Sequence, residues 1–246
     1  MNESRMTIER QILDKASALE SFTVGQLQNS LAGSLCLERT RLNWYLAKLV
    51  REGKLSRVAR GIYTHTDNKH QFLPQVGDKT VALYRQLHAS FPEIGICVYE
   101  GDWLFQFMHH IVSNKILYIE VEKDVAETVF HQLQDAGEVV YLRPDLEMIY
   151  HYIDLRQEAI FVKNLTSESP LQLRSDIPVP SLEKLLVDMY CDPDFYYLQG
   201  IEYHHVMHHA RSHYVINLSR MLRYARRRSA AEEIQRIFDN SLYDID

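Results

Sequence analysis

The first fifty residues contain three segments in which apolar positions recur at the spacing of an amphipathic helix. The first two are "RMTIERQILDKASAL" and "TVGQLQNSLA", separated by a break at Glu20–Phe22. Thr23 stands directly before the second apolar stripe, so it is placed to cap that helix. In the third segment, "CLERTRLNWYLAKLVREG", Leu42, Leu46, Leu49 and Val50 form one stripe, and Gly53 predicts its end.

The period of the apolar positions then changes from that of a helix to that of a strand. In "LSRVARGIYTH" the inner face of two short strands is expected to carry Leu55, Val58 and Ile62, with Tyr63 as a further candidate and Ala59–Gly61 as the turn. Three helices followed by a two-stranded hairpin is the order of a winged helix-turn-helix domain. The pattern therefore predicts such a domain at residues 1–70, whose third helix enters the major groove of DNA and whose wing follows the backbone.

Mixed patterns follow a linker, "DNKHQFLPQVGD". Predicted strands ("GICVYE", "ILYIEVE", "EVVYL", "MIYHYI", "AIFVKN") alternate with helical or amphipathic segments ("TVALYRQLHASF", "GDWLFQFMHHIV", "KDVAETVFHQLQDAG"). This alternation predicts an α/β domain at residues 78–246 with a partly parallel sheet. From Pro180 the pattern is helical, which gives this domain a helical C-terminal part at 180–246. The fold class is therefore α+β.

Charge is distributed unevenly over the 246 residues, whose formal net charge is −6. Residues 1–70 have a net charge of +4, residues 71–180 of −8 and residues 181–246 of −2. Only the first segment has the sign expected of a nucleic-acid binder. The three scattered cysteines, Cys36, Cys97 and Cys191, argue against a disulfide framework, and no apolar run approaches a membrane span. We expect a cytoplasmic protein without a membrane partner.

The third helix supplies the candidate DNA-reading residues. With its leucines facing inward, the opposite face presents Arg39, Thr40, Arg41, Asn43, Trp44 and Lys48. Arginine pairs with guanine, asparagine pairs with adenine, and threonine contacts a thymine methyl group or a phosphate. The basic residues that follow suit phosphates, which position a protein without reading sequence: Lys48, Arg51, Lys54, Arg57 and Arg60. The alternative is a solvated basic face on a small helical domain that binds a protein or nothing.

Two short motifs resemble catalytic signatures. Asp145 and Glu147 form the D-x-E pair that holds magnesium in nucleotidyltransferases, but no Gly-rich turn for a triphosphate precedes them. Ser181 and Lys184 fit the S-x-x-K pattern of acylating enzymes. We interpret Ser181 instead as a helix N-cap, with Glu183 and Lys184 exposed on the first turns. No catalytic residue, cofactor or metal is therefore expected.

Two features near the C-terminus leave more than one interpretation open. The helical pairs His204/His208 and His205/His209 have the i, i+4 spacing that clamps a metal, but histidines also pack at helix interfaces or stay hydrated. Arg223, Arg226, Arg227 and Arg228 form a dense basic cluster. This cluster is a second phosphate-contacting patch, a patch for an acidic partner, or an internal counterpart of the acidic middle segment.

The segment "LVREGKLSRVARGIY" resembles the end of the N-terminal winged helix in the abortive-infection E (AbiEi-like) antitoxins of bacterial type IV toxin–antitoxin systems. The segments "YEGDWLFQFM", "ILYIEVEKD", "PVPSLEKLLVDMYCD" and "YVINLSRMLRYARRR" are similar to motifs of a related group of uncharacterised bacterial proteins.

This resemblance implies a repressor that binds double-stranded DNA at inverted repeats in the promoter of its own operon. It also implies a C-terminal domain, with a degenerate nucleotidyltransferase-like fold, that counteracts a nucleotidyltransferase-type toxin. Two alternatives stay open: a Mg-dependent nucleotidyltransferase that uses Asp145 and Glu147, and an adaptor whose winged helix binds protein.

Overall fold

The computed structural model describes residues 2–19, 22–33, 35, 37–52, 54–59, 61–65, 69–108 and 113–240. It has a mixed α+β fold with a helical C-terminal part, as predicted. The chain divides into two compact units: Met1–Phe72 with Arg211–Met221, and Leu73–Ala210 with Leu222–Asp246. Within the described residues, no helix is both long and apolar enough to cross a membrane.

Within the described residues, the N-terminal stretch of the first unit contains three helices and a small antiparallel sheet. Its elements are α1 (Asn2–Ala16), β1 (Phe22–Thr23), α2 (Val24–Leu31), α3 (Arg39–Arg51), β2 (Leu55–Ala59) and β3 (Ile62–His65). The strands lie in the order β1-β3-β2, with antiparallel pairing throughout. One hydrophobic core joins these elements, and the predicted inward residues Leu42, Leu46 and Leu49 are fully buried in it. The three helices and the hairpin predicted from the sequence are thus confirmed as elements.

The start of α2 is confirmed at the level of single hydrogen bonds. The Thr23 side chain accepts a hydrogen bond from the backbone N–H of Gln26, and the Gln26 side chain accepts one from the backbone N–H of Thr23. Two otherwise unsatisfied N–H groups of the first turn are paired in this way. The predicted stop of α3, Gly53, lies outside the described residues.

The hairpin differs from the prediction in one inward residue. Leu55 and Tyr63 are buried, whereas Ile62 is 37% exposed. Neighbouring residues of a strand point to opposite faces, and the Tyr63 ring stacks on Phe22 with 6.0 Å between ring centroids. Tyr63 therefore takes the inner position, and the prediction for Ile62 was wrong. The side chain of Val58 lies outside what the structure describes.

The second unit is built on a four-stranded sheet in the order β4-β5-β7-β6. Its strands are β4 (Ile96–Glu100), β5 (Ile116–Val121), β6 (Val140–Leu142) and β7 (Ala159–Asn164), and its first three helices are α4 (Asp78–Ser90), α5 (Ala126–Asp135) and α6 (Leu146–Tyr152). β7 pairs in parallel with both β5 and β6, whereas β4 and β5 are antiparallel. The partly parallel sheet is thus confirmed, and the carboxyl ends of β5, β6 and β7 meet at one edge.

The prediction of a strand at "MIYHYI" was wrong, because this segment belongs to α6. Asp145 Oδ1 accepts a hydrogen bond from the backbone N–H of Met148 at 2.8 Å, which fixes the first turn of the helix. The aromatic and β-branched residues that suggested a strand do not decide the structure here, since β-propensity depends strongly on context.

A hairpin of β8 (Leu171–Arg174) and β9 (Ile177–Pro180) was not predicted. Ser175 and Asp176 connect its strands with φ of 50° and 64°, the left-handed conformation that two-residue hairpin turns require. The segment "GDWLFQF" forms a 3-10 helix, Gly101–Phe107, and residues 109–112 of the predicted amphipathic segment lie outside the described residues.

The C-terminal part is helical, as predicted. It contains α7 (Leu182–Cys191), a 3-10 helix (Pro193–Leu198), α8 (Ile201–His213), α9 (Leu218–Arg227) and α10 (Ala231–Asn240). α7 is unusual because every residue from Leu182 to Met189 is buried, polar residues included. Such a helix lies inside the unit rather than on its surface.

Candidate functional site

The outward face of α3 is the candidate nucleic-acid interface. Leu42, Tyr45, Leu46 and Leu49 are buried on one side of this helix. At about 100° per residue, the centre of the opposite side falls on Thr40, Trp44, Ala47 and Arg51. All four are exposed, and half of the Trp44 surface is accessible, which is unusual for so large an apolar side chain.

Arg39 and Arg41 lie at the two margins of this face rather than at its centre. Both are exposed, and at ~100° per residue their directions differ by roughly 160° around the helix axis. The exposed face therefore has a polar and aromatic centre flanked by one guanidinium group on each side. Arg51, which the sequence suggested only as a phosphate contact, lies on the same central stripe.

The basic residues of this region differ in how far their charges are compensated. Among the described residues, no acidic side chain forms an ion pair with Arg39, Arg41, Arg51 or Arg57. Lys48 Nζ, in contrast, lies 2.5 Å from Glu9 Oε1 and 3.5 Å from Glu52 Oε1.

The hydrogen bond from Lys48 to Glu9 raises the pKa of this lysine. Lys54 Nζ lies 2.8 Å from Glu52 Oε2, so both lysines of the predicted set have an acidic partner. Arg60 lies outside the described residues. The uncompensated positive charge of α3 and the hairpin is thus carried by arginines.

The S-x-x-K segment has a different environment from the one predicted. Ser181 occupies the N-cap position of α7, but its hydroxyl donates to Glu183 Oε2 at 2.6 Å instead of capping the helix. Glu183 and Lys184 are 3% and 1% exposed, so the prediction that they lie on the surface was wrong. The reason is that α7 is enclosed on all sides within the second unit.

Lys184 is the centre of a buried ion cluster that the sequence did not reveal. Its Nζ lies 2.8 Å from Glu120 Oε1 on β5 and 2.5 Å from Asp188 Oδ2 one turn further along α7. Burial alone would lower the pKa of Lys184, but Asp188 and Glu120 outweigh burial and hold this pKa well above its usual value. Lys184 is therefore a buried cation, held in place by two carboxylates.

The cluster continues through two further basic residues. Lys163 Nζ on β7 contacts Asp192 Oδ2 at 2.7 Å and also contacts Asp194. Arg228 bridges Asp188 and Asp192, with 2.7 Å from its Nη1 to Asp188 Oδ1. Burial would raise the pKa of Asp192, but Lys163 and Arg228 outweigh it and hold this pKa at about 2.

A cavity of about 290 Å³ opens at the carboxyl ends of β5, β6 and β7. In open α/β sheets, ligands bind preferentially at this edge. Its wall includes Glu120, Arg143, Lys163, Asn164 and Arg228. Because Lys163 and Arg228 already bind the carboxylates beside them, the charges on the cavity wall are largely compensated from within the protein.

A second cavity, of about 260 Å³, lies at the first turn of α4. The Glu100 carboxylate accepts hydrogen bonds there from the Gly77 backbone N–H at 2.8 Å and from the Thr80 hydroxyl at 2.5 Å. An anion is favoured at the N-terminus of a helix, and here a side chain of the protein takes that position.

The other sequence candidates have ordinary surroundings. Asp145 caps α6 and Glu147 is exposed on its first turn. Arg228 belongs to the buried cluster and Arg227 pairs with Glu168, whereas Arg223 and Arg226 are exposed. His204 and His208 are half-buried on α8. No group of three or more metal-binding side chains is close enough to hold an ion within the described part of the chain.

Comparison with known proteins places the chain in a family. No curated protein matches its sequence. The family match covers residues 41–244, which include most of α3, the hairpin and almost all of the second unit. The protein belongs to this family, which is described as a family of unknown function (DUF6577).

Proposed function

We propose that the protein is a DNA-binding transcriptional regulator whose α3 reads the major groove. The observation that carries this proposal is the outward face of α3, where uncompensated Arg39, Arg41 and Arg51 surround exposed Asn43 and Trp44. Arginine and asparagine make paired hydrogen bonds to guanine and adenine, and an aromatic ring contacts the thymine methyl group. A guanidinium group without an acidic partner can bind a DNA phosphate directly. A lysine that already binds a carboxylate would first have to leave that partner.

The first unit acts in this proposal as a winged helix-turn-helix domain. The order α1, α2, α3 and then the β2–β3 hairpin supports this assignment. Arg57 is exposed on β2 and takes the backbone-contacting role of a wing, together with Arg60. Gly61, with φ of 76°, allows the tight turn of the hairpin tip.

The biological role that we propose follows from the resemblance to abortive-infection E antitoxins. In this role the protein represses its own operon at inverted repeats and counteracts a nucleotidyltransferase-type toxin in the cytoplasm, without enzymatic activity of its own. The second unit is then a degenerate nucleotidyltransferase-like domain. The helix-capping role of Asp145 supports a non-catalytic function for the D-x-E pair.

The DNA-binding proposal is tested by a pair of charge-reversal variants. Arg41→Glu removes a margin contact of α3, and Arg85→Glu makes the same change of net charge at an exposed position on α4 of the second unit. We expect Arg41→Glu to weaken binding to the promoter of the operon at least 100-fold in fluorescence anisotropy, and Arg85→Glu to change it less than threefold. Equal affinities of both variants and the unchanged protein would contradict the proposal.

The antitoxin role is tested separately, by co-expression with an adjacent gene for a nucleotidyltransferase-like protein. Growth arrest by that gene alone, relieved by this chain, is the expected result. Absence of relief would remove the antitoxin role and leave DNA binding untouched. Magnesium-dependent transfer from a nucleoside triphosphate, lost in Asp145→Ala, would instead favour the enzyme alternative, and absence of salt-sensitive DNA affinity would favour the adaptor.

A further inference from the structure

The centre of the outward face of α3 carries carbon along most of its length. The row that points furthest from the buried leucines consists of Thr40, Trp44 and Ala47, with Arg51 at its end. All four residues are exposed, and Trp44 is 50% exposed. The first three offer a methyl group beside a hydroxyl, an indole ring and a single methyl group, so only the hydroxyl and the indole N–H can form hydrogen bonds.

The side chains that hydrogen-bond well to bases lie on the two flanks of this row. Asn43 lies roughly 70° from the centre of the face on the side of Arg39, and Arg41 lies roughly 90° from it on the other side. Among the described residues, neither arginine forms an ion pair with an acidic side chain. Lys48, on the same side as Arg41, binds Glu9 instead. The face therefore has an apolar centre between two hydrogen-bonding margins.

The ring of Trp44 is supported by the core and is still accessible. It packs edge-on against the ring of Tyr45, with 5.0 Å between ring centroids. Tyr45 is buried, so this contact ties the indole to the interior of the first unit. A side chain that is already packed loses little conformational freedom when a ligand covers it, which favours a direct contact.

The major groove of DNA offers one apolar group that matches such a row. Of the four bases, only thymine presents a methyl group there, whereas the other base edges present hydrogen-bond donors and acceptors. The row from Thr40 to Ala47 extends roughly 10 Å along the helix axis at ~1.5 Å per residue, which equals the rise of about three base pairs. Its length therefore suits a short run of neighbouring thymines.

We propose that the row of Thr40, Trp44 and Ala47 reads thymine methyl groups, so that thymines lie opposite the centre of α3 in the DNA site. Guanine or adenine, which hydrogen-bond to arginine and asparagine, then lie opposite the two margins. This inference rests on the proposed DNA-binding function and adds to it the class of sequence that α3 selects.

The experiment replaces thymine by uracil, which removes the methyl group and keeps the hydrogen-bonding groups of the base. Two copies of the promoter fragment of the operon are synthesised, one with thymine and one with uracil at every thymine position. Fluorescence anisotropy at one salt concentration measures the affinity of the full-length protein for each fragment. Burial of one methyl group contributes about fourfold in affinity, so with two or three contacts we expect the thymine fragment to bind at least 10-fold more tightly.

A double variant assigns this preference to the row. Thr40→Ser/Trp44→Ala removes the methyl group and the ring and keeps the hydroxyl, so its preference for thymine should fall to about fourfold or less, the share left to Ala47. Tyr152→Ala, which removes a ring that is 78% exposed on α6, is the control and should keep the full preference. An effect of uracil on the shape of the DNA would be the same for all three proteins. Circular dichroism melting confirms that both variants are folded.

The possible results separate this inference from the proposed function. Binding that Arg41→Glu weakens, but with equal affinity for the two fragments, would overturn the inference and leave DNA binding intact. A thymine preference that the double variant keeps in full would overturn the assignment to this row. Tighter binding to single strands of the same sequence would overturn it in favour of base stacking by Trp44. Absence of binding to both fragments would remove the proposed function, and this inference with it.

Discussion

At the scale of single residues, the two units differ in how their charged side chains are paired. Among the described residues, the exposed arginines of α3 have no acidic partner, whereas the buried charged residues of the second unit form ion pairs. Lys184 illustrates the interior, because it is 1% exposed and bound by Glu120 and Asp188. A charge so deeply buried is tolerated only with partners, and removing one partner leaves the others uncompensated. The identity of each residue in this cluster is therefore constrained by its neighbours rather than by solvent.

Replacement of Lys184 by methionine should destabilise the protein by about 3–5 kcal/mol, because the buried Glu120 loses its counter-ion and Asp188 keeps only Arg228. Urea denaturation measures the loss of unfolding free energy. Lys123→Met, at an exposed position, serves as the control and should change it by less than ~0.5 kcal/mol. The triple variant Lys184→Met/Glu120→Gln/Asp188→Asn also neutralises the two carboxylates and should recover part of the lost stability. A Lys184→Met variant whose unfolding free energy lies within ~1 kcal/mol of the unchanged protein would contradict this account.

Asp192 gives the cluster a defined dependence on acid. Its pKa is held at about 2, below the ~3.9 of an unfolded aspartate, so the ionised carboxylate stabilises the fold above pH ~4. This contribution, of about 2 kcal/mol, is lost as the pH falls from ~4 towards 2. Asp192→Asn should therefore lose less stability than the unchanged protein over this pH range in urea denaturation. A steeper loss in the variant would show that the sign of the shift is wrong.

At the scale of elements, local signals explain where α2 and α6 begin. Thr23 and Asp145 both accept a hydrogen bond from the backbone in the first turn of their helices. The Asp145 cap was not recognised in the sequence, where the aromatic and β-branched residues that follow it indicated a strand. The helix α6 that results buries Ile149 and leaves both polar residues and the large side chains of Tyr150 and Tyr152 exposed.

The cap at Thr23 can be tested by Thr23→Ala, which leaves the backbone N–H of Gln26 without its side-chain acceptor. We expect a loss of about 1 kcal/mol in unfolding free energy, measured by thermal or urea denaturation. Thr128→Ala, at an exposed position inside α5, removes the same atoms without a cap and is the control. A loss as small as that of the control would mean that solvent satisfies the first turn of α2 equally well.

At the scale of the whole molecule, the distribution of charge favours the N-terminal segment for the proposed DNA contact. The net charge is −6, and residues 71–180 alone contribute −8. In the proposed function, electrostatic attraction to DNA depends on the few arginines of the first unit that lack an acidic partner among the described residues. The acidic residues of the rest of the chain repel the DNA phosphates.

The salt dependence of the proposed DNA binding should distinguish compensated from uncompensated basic residues. Each phosphate contact contributes a slope of about −0.9 to the plot of log affinity against log salt concentration. Arg41→Ala should therefore reduce the magnitude of this slope by about 1, whereas Lys48→Ala, whose lysine binds Glu9 and Glu52, should change it much less. Equal changes in the two variants would contradict the assigned roles.

The sequence by itself determined the elements whose signals are local: the leucine stripe of α3, the Thr23 cap, the hairpin and the helical C-terminal part. It also placed Arg39, Asn43 and Trp44 on the exposed face of α3, because the helical period alone separates this face from the buried leucines. The prediction of a strand at α6 was wrong, because a single capping hydrogen bond competes there with the β-propensity of the residues that follow.

Only the tertiary structure decided which charges are compensated. Lys48 meets Glu9, 39 positions away, and Lys184 meets Glu120, 64 positions away. No periodicity along the chain encodes such pairs, because they depend on how helices and strands pack after they have formed. The same holds for α6, because only the packing of the second unit decides that Ile149 is buried while Tyr150 and Tyr152 are exposed.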